Sequence, residues 1–77
     1  MNIEYIKTLT EKLSKTFAQN LRFYMNEKGI NQESLAKEIH VSQSTVSSWL
    51  NAANEPSAFK LCLLSEVFNC TVEDLLK

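Results

Sequence analysis

The stretch NQESLAKEIHVSQSTVSSWLN, residues 31–51, narrows the fold more than any other part of the chain. Leu35, Ala36 and Ile39 recur at the spacing of one helical face, and Val46, Trp49 and Leu50 do the same. Asn31 and Ser42 each stand just ahead of one of these segments. There a side-chain oxygen can accept from the free N–H groups of the first turn. Helices this short are not stable alone, so each must bury its apolar face against the other and against a further element. Ala36 is small where the two would approach, and Val41 is placed to plug the joint.

The flanking chain reads as helix too. Ile3, Ile6, Leu9, Leu13, Phe17, Leu21 and Tyr24 fall within one helical stripe. Gly29 is a C-terminal stop for that segment, with Lys28 at the negative helix end. Thr16 and Gln19 have the spacing of a capping box, so residues 2–28 form either one long helix or two joined near Ser14 to Thr16. Pro56 closes a loop and Ser57 caps a further helix, with Phe59, Leu61, Cys62, Leu64, Val67 and Phe68 expected to be mostly buried. Asn69 is a left-handed stop, and Thr71 with Asp74 forms a capping box for a last short helix. One Gly and one Pro in 77 residues leave few turn signals for a β-rich fold. The expectation is all-α, with an N-terminal helical extension over 1–15 and a domain over 16–77.

Charge and composition exclude several classes. The net charge is −1, so bulk electrostatics do not announce nucleic acid. The cations are nevertheless uneven, with five of them in residues 1–30. No apolar run reaches the roughly 18 residues of a membrane span, and Lys7, Glu11 and Lys12 interrupt any signal-peptide core. A cytoplasmic protein without a membrane role is expected. Cys62 and Cys70 read as two reduced core thiols rather than a disulfide framework. With His40 the sole histidine, no metal set is expected. Nor is there a nucleophile with a base, a paired-carboxylate cleft or a phosphate loop, so no enzyme, cofactor or small-molecule substrate is expected.

The spacing within 32–51 is that of a helix-turn-helix, whose second helix lies in the major groove of DNA. That placement accounts for an odd feature of VSQSTVSSWL, a charge-free segment rich in hydroxyls, which are mediocre helix formers. Small polar side chains let a helix sit deep against base edges. Trp49 reads as core and His40 as a residue tolerating a left-handed turn.

Residues 17–76 resemble the phage-repressor and Cro-like family, the lambda-repressor-like domain, through INQESLA, VSQSTVSSW and the PS at 56–57. The resemblance implies a five-helix domain that reads operator DNA, most simply as a homodimeric phage or bacterial repressor. Gln43, Ser44 and Ser48 fall on its base-reading positions. Gln32 falls on the helix-start phosphate contact, while Ser42, Thr45, Ser47 and Asn51 are backbone or auxiliary candidates. The departures are pointed. Arg is frequent in the family at 43 and 48, and Gly and Lys at 52 and 53, where this chain has Gln43, Ser48, Ala52 and Ala53. Met25 and Leu50 stand where many members pair Arg with Glu, which implies an apolar contact in place of an ion pair. Fewer cations beside the phosphates imply modest affinity, with Arg22, Lys28, Lys37 and Lys60 left to serve. The alternative is a repressor-like scaffold used as a protein-interaction module. The first fourteen residues, outside the resemblance, read as a dimerisation element or as a helix folded back on its own domain.

Overall fold

Five helices follow one another in the computed structural model, which describes residues 2–77. They are α1 (Ile3–Lys28), α2 (Gln32–Ile39), α3 (Gln43–Leu50), α4 (Ala58–Phe68) and α5 (Val72–Leu76). There is no strand among the described residues.

Each boundary has a local cause. The Asn31 and Ser42 side chains accept from the backbone N–H groups of Ser34 and Thr45, and Ser57 accepts from that of Lys60. Thr71 and Asp74 exchange the two bonds of a capping box, each 3.0 Å. The N–H of Thr71 thereby holds the Asp74 carboxyl below its usual range. Gly29, His40 and Asn69 end their helices in the left-handed conformation. α1 is a single helix. Thr16 lies in its interior, so the capping box that its spacing allowed is not used.

The core is drawn from all five helices. Phe17, Leu21 and Met25 of α1 meet Leu35, Ala36 and Ile39 of α2, Val46, Trp49 and Leu50 of α3, Leu64 of α4 and Leu75 of α5. Among the described residues no polar or charged one is buried with them. Phe17 meets Trp49 edge-on at 6.2 Å, and Tyr24 stacks on Phe68 at 5.9 Å. Three side chains reach across the fold to the C-terminal carbonyls that helices leave free. Lys60 Nζ donates to Ile39 at the end of α2, Lys28 Nζ to Val67 in the last turn of α4, and Asn20 Nδ2 to Leu75 of α5.

Two expectations about α4 fail. Phe59 is 84% exposed and Cys62 is also exposed. Both cysteines are free thiols, but only Cys70 is partly buried. α4 is apolar on nearly every side, so its sequence does not say which side turns inward. The inner side is that of Leu61, Leu64 and Phe68, and Phe59, Cys62 and Leu63 are left outside. The N-terminal stripe divides in the same way. Phe17 and Leu21 are buried, whereas Ile3, Ile6, Leu9 and Leu13 are exposed, so this segment is not folded back on the domain.

The loop after α3 carries a strained residue. Ala52 has φ 56, which a β-carbon disfavours by about 1–2 kcal/mol. Glycine relieves that strain but gives up roughly 0.5–1 kcal/mol of extra chain entropy. Ala52→Gly is therefore expected to stabilise the fold by about 0.5 kcal/mol, read as a higher urea midpoint at unchanged slope. A lower midpoint would mean that packing of the half-buried methyl outweighs the strain.

Candidate nucleic-acid interface

The polar face of α3 is held outward by what lies beneath it. Val46, Trp49 and Leu50 are buried. At 100° per residue, Ser44 and Ser48 then project from the opposite side, with Thr45 and Ser47 on the flanks. Gln43, the first helical residue, is exposed with Ser42 and Ser44, and Asn51 is exposed at the far end. Thr45, Ser47 and Ser48 are half-buried. The hydroxyls at the helix start are tied together, with Ser42 Oγ 3.0 Å from Ser44 Oγ and 2.8 Å from Thr45 Oγ1. Ser42 is thus an N-cap whose hydroxyl is largely occupied, and Thr45 is turned toward it.

The turn that sets α3 against α2 is made by His40, at φ 59 and ψ 51, and Val41. The Val41 N–H donates back to the Ala36 carbonyl at 3.0 Å, and its side chain packs on the core. The segment from Val41 to Asn54 has no charged side chain. The cations around it are mostly engaged. Lys60 and Lys28 donate to carbonyls, and Lys37 pairs with Glu33 at 3.3 Å on the surface of α2. Arg22 differs, because it forms no salt bridge among the described residues. It lines a shallow cavity with Asn26, Asn31 and Gln32 at the start of α2, where the helix presents its free N–H groups. Met25 and Leu50 line the same cavity. Gln32, half-buried, is thus brought beside Arg22 and Asn26. In the sequence Gln32 stands out by resemblance and Arg22 only as one of four spare cations, while Asn26 goes unmarked. Arg22 and Asn26 are four apart on one helix, which was the available signal. Nothing local tied them to Gln32.

Two short helices set around a left-handed joint, the second turning an uncharged polar face outward, define a helix-turn-helix domain. The sequence profile of the helix-turn-helix family matches residues 21–75, and the chain belongs to that family, of the Cro and repressor type. An HTH-type transcriptional activator, BcrR of Enterococcus faecalis, is 30% identical over 60 residues, covering 78% of this chain. Among solved structures, the clp gene regulator ClgR of Corynebacterium glutamicum superposes with a TM-score of 0.77 at 25% identity, over 83% of this chain and 68% of its own. Hydroxypropylphosphonic acid epoxidase from S. wedmorenis superposes at 0.80 with 20% identity, over 87% of this chain. That likeness concerns the fold alone, and a shared fold does not carry an activity across. The chain spans 29% of the length of the activator and 36% of that of the epoxidase.

Proposed function

We propose that this chain binds duplex DNA sequence-specifically and regulates transcription, most simply by occupying an operator and so repressing. The observation that carries the reading is the exposed, charge-free face of α3 on a helix whose other side is fully packed. A major groove about 12 Å wide admits such a helix, and small hydroxyls let it approach the base edges closely. Gln43 is assigned the bidentate contact to adenine N6 and N7, with Ser44 and Ser48 reading neighbouring edges. Ser42, Thr45, Ser47 and Asn51 are assigned to phosphates or bridging waters. Gln32 is assigned a phosphate at the start of α2, where Arg22 adds the charge that α3 lacks. The function is binding without catalysis, in keeping with the family and its regulator relatives, and is assigned to the cytoplasm of a bacterium or of a phage host. With Lys28 and Lys60 committed to carbonyls, affinity per copy is modest, so the operator is taken to be two-fold and the protein a homodimer on it.

Selecting bound sequences from a random duplex pool tests the reading, and failure to enrich any sequence at low salt would overturn it. Gln43→Ala is expected to cost roughly 1–3 kcal/mol on the selected site and to relax preference at one base pair. Uniform weakening across all sites, or none, would remove Gln43 from base reading. A second reading, activation, is supported by the name of the Enterococcus relative. Transcription in vitro from a promoter carrying the selected site separates the two, because operator occupancy lowers the transcript and activation raises it. The alternative, a protein-interaction module such as an antitoxin-like or regulatory subunit, predicts only weak DNA binding with a shallow salt dependence and no enriched sequence.

A further inference from the structure

The first turns of α1 form an arm. α1 spans about 39 Å at 1.5 Å per residue, the full 39 Å of the molecule's long dimension. Its buried residues begin only at Phe17. Ahead of them Ile3 is 81% exposed, and Ile6, Leu9 and Leu13 are each close to 40%. At the base of the arm lies an apolar groove of about 220 Å³, lined by Leu13, Phe17, Pro56, Leu61 and Leu76, with Glu55 at its rim.

We propose that a second copy of this chain covers both features, the two arms running antiparallel so that each lays Ile3 and Ile6 along the groove of the other. The arrangement deepens the dimeric reading above by naming its surface. Three observations select a second copy. Because α1 is unbroken, the arm cannot turn back to reach its own groove. Arm and groove are also continuous, since Leu13 ends the exposed stripe and begins the groove wall. A two-fold axis beside Thr10 therefore brings the tip residues 3–6 of each arm level with residues 14–17 of the other, and one operation covers both stripes and both grooves. Charge is compatible as well, because Lys7 on the arm comes level with Leu13 of the other copy, whose groove carries Glu55 as its one charged residue among those described.

The test needs no DNA, so it can fail separately from the operator reading. Sedimentation equilibrium of the full chain is expected to show a dimer. Ile6→Glu with Leu9→Glu places charge on the arm, away from the core. It is expected to weaken self-association roughly a hundredfold with helical circular dichroism unchanged. A spin label at Tyr5→Cys, in a chain carrying Cys62→Ser and Cys70→Ser, is then mixed with an unlabelled, isotope-enriched copy. It is expected to broaden the Leu61 and Leu76 methyl signals of that copy. A full chain that stays monomeric at the highest concentration sedimented overturns the proposal. So does a double variant that remains dimeric, or broadening that spares Leu61 and Leu76.

Discussion

Trp49→Ala is expected to cost about 3–5 kcal/mol of folding free energy, most of what a chain of this length has available. Trp49 is 2% exposed and meets Phe17 edge-on, so its indole joins α3 to the long helix. Truncation leaves a cavity with walls on α1 and α3, and helices of such different length cannot both move in to fill it. α3 has eight residues, several of them hydroxyl-bearing, and holds its helical form by packing rather than by propensity. Loss of the anchor should therefore abolish the domain as a unit, and urea unfolding of the variant should show a folded baseline shortened or absent at 25 °C. A loss below about 1 kcal/mol would mean that the indole lies on the core without anchoring it.

Met25→Arg is the second large effect. Met25 is 6% and Leu50 9% exposed, both belong to the core cluster, and both line the cavity at the start of α2. An isolated charge there is expected to cost about 3 kcal/mol, because the guanidinium gains no partner for the water it loses. Adding Leu50→Glu supplies a partner from the facing helix and should recover part of the loss. Urea titrations of the two single variants and the double close a mutant cycle, with an expected coupling of more than 1 kcal/mol between the two positions. Zero coupling would falsify the pairing. The wild-type apolar pair is not a weak substitute for an ion pair, since packed hydrophobic groups often equal or exceed a buried salt bridge in stability.

Val46 and Trp49 were readable as core because two buried positions three apart, in a segment otherwise polar, leave one choice of inward face. The caps Asn31, Ser42, Ser57 and Thr71 were readable for a similar reason: their hydrogen bonds close within three residues. His40 and Asn69 in left-handed positions follow from the same short range. Ala52 shares that conformation but was noted only as a departure from the family's glycine, because nothing in an alanine itself announces a positive φ.

The sequence by itself determined the helix-turn-helix, the caps that open α2 to α5 and the small polar face of α3, and left residues 2–28 open as one helix or two. All of these depend on residues within a turn or two of one another, where 3.6-residue periodicity and capping chemistry act directly. Tertiary structure alone decided the rest. It selected the inner side of α4, whose apolar residues surround the helix and leave periodicity nothing to choose, so that Phe59 and Cys62 lie outside. Lys28 and Lys60 were assigned to the carbonyls of α4 and α2, although in the sequence they are only two cations among eight. Arg22 was set beside Gln32. At Phe17 the apolar stripe of α1 was divided into a buried half and an exposed arm, because the other four helices gather on the part of α1 from Phe17 onward. Each of these outcomes depends on groups far apart in the chain, and their meeting is settled by the packing of whole helices.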